Sequence, residues 1–172
     1  MRTLPGVGEL TQDDDLPEWW ASNPIPIPYF DGRPITIIVT TDSEGDAYPF
    51  DVADAVHNFL SLTSLDREAA TERVHKNFQD FVEAIGPDND LDMAIDRPTD
   101  IWHYVEPTKI YVSRRHRLDR DVYVQIACEC EWEDEHGLQI IYRRGNRLVR
   151  VSDEDGHLTE ADAYGLAADP EA

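Results

Sequence analysis

The sequence predicts an α+β fold: an antiparallel meander sheet of about five strands, two helices on one of its faces, and an extended proline-rich N-terminal arm. Three features predict it. A run of β-branched residues, Ile35 to Thr41, reads as a strand. Two stretches with apolar residues at helical spacing follow it. Beyond Ile101 the apolar residues alternate, and Gly145-Asn146 is a two-residue hairpin signal.

Trp19-Trp20 and Asn23-Pro24-Ile25-Pro26-Ile27-Pro28-Tyr29 cannot be helical, because alternating prolines fix φ and remove donors. Residues 1–34 are therefore expected as an arm whose Trp, Ile and Tyr side chains pack on the body. Asp42 to Asp46 reads as a loop. Val52, Ala53, Val56, Phe59 and Leu60 mark the first helix; Ala70, Val74, Phe78, Phe81, Val82 and Ile85 mark the second. Ser64 or Asp66 is expected to cap the second helix and Gly86-Pro87 to stop it. Asp88 to Pro98 reads as an acidic loop.

Ile101 to Val105 and Lys109 to Ser113 read as short strands separated by Glu106-Pro107. The longest predicted strand is Asp121 to Glu133. Val122, Val124, Ile126, Cys128, Cys130 and Trp132 share one face, expected to be the buried one; Tyr123, Gln125, Ala127, Glu129, Glu131 and Glu133 share the other. A turn at Asp134 to Gly137, then Leu138 to Arg144 and Arg147 to Ser152, completes the meander. That turn sets Glu129 opposite Tyr142, with Arg144 on the diagonal and paired to Arg147. Residues 35–160 make one domain, and 161–172 are expected to be a flexible acidic tail.

Charge narrows the function classes. The chain has 172 residues and a formal net charge of -21, with an apolar fraction of 41%, enough for a core. Residues 109–150 hold nine of the fifteen basic residues, so the rest of the chain is strongly acidic. Such a field repels nucleic acid and anionic membranes and attracts basic partners. No run approaches the roughly 18 apolar residues of a membrane span. Met1 to Gly6 offers no apolar core for a signal peptide, so a cytoplasmic protein is expected. Cys128 and Cys130 are poorly spaced for a mutual disulfide and are expected as buried thiols.

Two constellations compete for a site. The first is acidic: Glu129, Glu131, Glu133, Asp134 and Glu135, beside His136, are the candidate contacts for a basic protein partner. Their bland reading is a solvated sheet face offset by cross-strand arginines. The second is basic: Arg114, Arg115, Arg117 and His116, near Arg120, suit a phosphate or carboxylate. Its bland reading is neutralisation of neighbouring acids. The six histidines and two cysteines show no paired metal-ligand spacing, no HExxH and no CxxC. Gly6-Val7-Gly8 follows no strand, so it is no phosphate loop. No catalytic residue, metal or cofactor is expected.

The strings IWHYVEPTKIYVSRRHR, DVYVQIACECEWEDEHGLQIIYRRG and RVSDEDGHLT resemble an uncharacterised bacterial domain family of small acidic α+β proteins. The resemblance implies no activity and carries over no catalytic residue. It implies a role like that of immunity or accessory proteins of bacterial toxin systems. The leading expectation is thus an acidic module that binds a basic protein. The alternative is a small-molecule or metal-binding domain, or an enzyme, with an Arg/His-lined pocket. Self-association through Trp19 and Trp20 of the arm is a third reading.

Overall fold

The computed structural model describes residues 1–40 and 48–170; the loop expected at Asp42 to Asp46 lies outside them. The described residues form nine strands: β1 (Arg2–Leu4), β2 (Gly8–Gln12), β3 (Trp20–Ser22), β4 (Ile25–Ile27), β5 (Arg33–Val39), β6 (Val105–Arg114), β7 (Val122–Cys130), β8 (Glu133–Arg143) and β9 (Arg147–Ser152). Three helices join them: α1 (Phe50–Leu60), α2 (Ser64–Ile85) and α3 (Glu160–Tyr164). The sheet order is β1-β2-β3-β5-β6-β7-β8-β9, with β4 also on β5. Every pairing is antiparallel except β5 with β6, which the α1–α2 crossover makes parallel.

The fold is mixed α+β as expected, but the sheet is larger than five strands. The expected arm supplies the difference, since β1 to β4 lie within residues 1–34. β1, β3 and β4 have three residues each, too few to show a period in the sequence. Pro26 pairs with Pro34 across β4 and β5, where missing N–H groups are tolerated. Trp20 is buried with the Arg2 guanidinium 4.4 Å over its ring, and Trp19 stacks edge-on against Tyr111 at 5.6 Å. The two tryptophans expected to reach a second copy are thus packed within their own sheet. Within the expected tail, residues 161–164 lie in α3, and Asp162 and Asp169 both bind Arg115.

The face bearing Trp132 is the buried one. Val122, Val124, Ile126, Cys128 and Cys130 join Val52, Val56 and Phe59 of α1 and Val74 of α2 in one core. Trp132 donates from Nε1 to Asn77 Oδ1 (3.0 Å) and meets Phe78 edge-on at 5.8 Å. The opposite face carries Tyr123, Ala127, Gln139, Ile141 and Arg150, also buried, with Ala161 of α3 buried as well.

Three local expectations are corrected. Ile101 is in a 3₁₀ segment, Pro98–Tyr104, because Asp100 caps it through the Arg97 amide (2.9 Å). β6 runs straight through Pro107, which β5 does not reach and where a bulge breaks the β7 register. β7 ends at Cys130 rather than Glu133, since burial of Trp132 turns the chain at residues 131–132.

The α2 cap is Thr63, not Ser64 or Asp66. Thr63 Oγ1 accepts from the Leu65 amide (3.3 Å), and Asp66 accepts from the Thr63 amide (2.8 Å), closing a capping box. Thr63→Ala is expected to cost about 1 kcal/mol. In thermal unfolding that is a midpoint drop of roughly 2–4 °C; an unshifted midpoint would show that the box adds nothing.

Candidate functional site

The β7–β8 register decides what the acidic residues can do. Cys128 pairs with Leu138 and Cys130 with Glu133, so residues 134–137 loop out of β8 opposite Glu129. Tyr142 pairs with Val124, not with Glu129. Arg144 sits at the far end of the hairpin, where Arg143, not Arg144, pairs with Arg147. Arg143 and Arg144 both donate to Asp121 (2.6 and 2.9 Å). The cross-strand arginines expected to offset the glutamates are therefore bound elsewhere.

Glu129, Glu131, Glu133, Asp134 and Glu135 instead collect at one end of the sheet, around an open groove of about 810 Å3. Four of them, Glu129, Glu131, Asp134 and Glu135, are exposed and form no ion pair among the described residues. Glu133 is different. Its Oε1 accepts from the amides of Glu135 (2.9 Å) and His136 (3.3 Å), and its side chain is only 13% exposed. Burial pushes its carboxyl up, but those amides and the His136 ring outweigh this and hold it below its ordinary range. Glu133 shapes the loop; the other four present charge.

The groove also contains residues that sequence reasoning missed. Glu106 is directly opposite Glu129 across β6 and β7, and it pairs with Arg33. Glu154 and Lys109 line the same groove. Desolvation raises the Glu154 carboxyl above its ordinary value, opposed by Lys109. Glu106 needed the register to be found; Glu154 was visible only as one acid in an acidic run.

The basic constellation is dispersed. Arg115 is 2% exposed and saturated: it donates to Asp119 (2.8 Å), Asp162 (2.9 Å), Asp169 and Thr159 (2.8 Å). Burial opposes its charge, but the Asp169, Asp162 and Asp119 carboxylates together raise its pKa. Arg114 is bound in two-point fashion by Asp51 (2.7 and 2.9 Å), while His116 and Arg117 are exposed. Arg150, buried and unremarked in the sequence, is held by Asp155 (2.6 Å) and Glu160 (3.3 Å). Arg115 and Arg150 fasten the C-terminal segment to the sheet.

The thiols are buried. Burial pushes Cys128 up and Cys130 up to about 12, so neither is a thiolate at neutral pH. Among the described residues no three His, Cys, Asp or Glu side chains are placed to hold a metal ion. No described helix is long and apolar enough to cross a membrane.

No curated protein and no solved structure matches the chain. A family model described as a domain of unknown function, DUF6985, matches residues 6–158, which include the whole acidic groove. The chain belongs to that family, whose model spans Gly6 to Leu158 and leaves α3 beyond the matched region.

Proposed function

We propose that the chain is an acidic protein-binding module whose groove receives a basic surface of a partner protein. One observation carries this reading: Glu129, Glu131, Asp134 and Glu135 ring one groove, exposed and without ion pairs, although the chain's arginines are heavily used to bind other acids. A surface with unspent charge of one sign selects partners of the other sign and speeds their encounter. An immunity or accessory role beside a basic bacterial toxin is the specific form that fits an acidic module of this kind. The Arg114 to Arg117 connection supports a ligand pocket less well, because Arg114 and Arg115 are bound internally.

The test is capture of partners from the native lysate by tagged wild type and by Glu129→Lys/Glu131→Lys/Glu135→Lys. A basic protein held by the wild type at low salt should be released at high salt. The triple variant should bind it with an association rate about ten-fold lower or worse. Equal rates and equal salt dependence for the two proteins would sink the assignment.

A further inference from the structure

The last strand of the sheet, β9, pairs with β8 on one side only. Its other side forms the floor of a second cleft, of about 840 Å3. One wall is α2, which lies on the Trp132 face of the sheet. The other wall is α3 and the residues after it, fastened to the opposite face through Arg115. The register leaves Val149 opposite no residue of β8, and Val149 to Ser152 line the cleft. The edge contains no proline, and among the described residues no group outside β8 is hydrogen-bonded to the β9 backbone, so on either side of the Val149 bulge its outward N–H and C=O groups can take a further strand.

The walls restrict what can reach that edge. A second copy would bring its own sheet edge flanked by its own α2 and α3, which would have to fit beside these walls. A single extended chain has no such walls. Charge narrows the occupant further. The acids lining the cleft are mostly engaged: Asp80 with Lys76, Asp155 and Glu160 with Arg150, and Asp169 with Arg115. Arg73 and Arg147 are exposed and form no ion pair among the described residues. Asp153, just past the strand's C-terminal end, accepts from Asn77 (3.1 Å) and has no cation. Free positive charge thus lies toward the Arg147 end and free negative charge toward the Ser152 end. Tyr164, 72% exposed on the α3 wall, offers an aromatic surface for an apolar side chain.

We propose that the β9 edge is a strand-addition site for an extended acidic peptide segment, whose backbone pairs with Arg147–Ser152 and whose carboxylates meet Arg73 and Arg147. Backbone pairing supplies affinity, and alternate side chains facing the two walls supply selectivity. The partner differs in sign from that of the acidic groove, so the module has two independent surfaces.

The test is selection of random linear peptides against the full chain, followed by titration of the enriched peptides. Enriched sequences should alternate apolar residues with Asp or Glu, and the acids should sit at the end nearest Arg147. Binding should protect β9 amides from hydrogen exchange. It should weaken about ten-fold or more in Arg73→Glu/Arg147→Glu. It should be unchanged in the triple lysine variant of the acidic groove, which separates failure here from failure of that reading. No enrichment, or affinity indifferent to Arg73→Glu/Arg147→Glu, overturns the proposal. So does β9 protection that rises with protein concentration alone, since a second copy would then occupy the edge.

Discussion

Replacing Arg115 by Met is expected to destabilise the protein by about 3–5 kcal/mol, the usual cost of removing one partner from a buried charge cluster. Arg115 is among the largest fully buried side chains of the described residues. It holds Asp119 from its own connection together with Thr159, Asp162 and Asp169 from the C-terminal segment. Without it, three carboxylates remain close together with no common counter-ion, and α3 loses its anchor. Urea unfolding would measure the loss. A midpoint unchanged from wild type would mean that the segment is held by Ala161 and the Arg150 contacts alone.

Arg115 and Arg150, each holding carboxylates, fix the sign of the pH dependence. Desolvation opposes ionisation of Asp155 and Asp169, but Arg150 and Arg115 outweigh it; Asp155 falls to about 2 and Asp169 also below its ordinary value. A carboxylate depressed in the folded state stabilises above its unfolded pKa, near 4, and loses that contribution as pH falls through its folded value. Wild type should therefore lose stability steadily between about pH 4 and pH 2. Arg115→Met should flatten that slope, because Asp169 would no longer be depressed. An equal slope in both proteins would contradict the role given to Arg115.

Gly145→Ala is the second large effect. Gly145 has φ +83°, and a Cβ there would overlap the Ala55 carbonyl oxygen and lie 2.8 Å from its carbon. Both obstacles are backbone, so neither can rotate away. The β8–β9 turn is docked on α1, with Asn58 Nδ2 donating to the Arg144 carbonyl (2.9 Å). Left-handed strain and overpacking together should cost about 2–5 kcal/mol. Gly156 is the matched control: its φ is +79°, but nothing lies within 4 Å of its Cβ position. Gly156→Ala should cost only the backbone strain, about 1–2 kcal/mol. Equal losses in the two variants would show that the turn moves freely off α1.

The helices were legible because burial on one side imposes a 3.6-residue period, and Val52, Val56, Phe59 and Val74 obey it. The core face of β7 was legible from its apolar period of two, Val122 to Cys130, although the other face is largely buried as well. The candidate site was legible in part. Glu129, Glu131, Asp134 and Glu135 are close in the chain and stay close in space, and only Glu133 is diverted to binding backbone amides. Glu106 and Glu154 join them through pairing that no local pattern encodes.

By itself the sequence determined the apolar periods, the turn at Gly145, the excess of carboxylates and the absence of familiar catalytic spacings. These are properties of a segment and its neighbours, and they persist whatever the segment packs against. Only the tertiary structure decided the register, the size of the sheet and the partners of each arginine. Trp132 is buried under α2, the β7–β8 register pairs Cys130 with Glu133, and Arg143 and Arg144 lie at the far end of the hairpin on Asp121, away from Glu129, Glu131, Asp134 and Glu135. The expected arm joined the sheet because three-residue strands are held by their neighbours rather than by their own composition. Arg115 looked like one surface cation among several. It became an internal anchor because a buried charge is stable only where its counter-ions are brought to it, and Asp162 and Asp169 arrive from more than forty residues away.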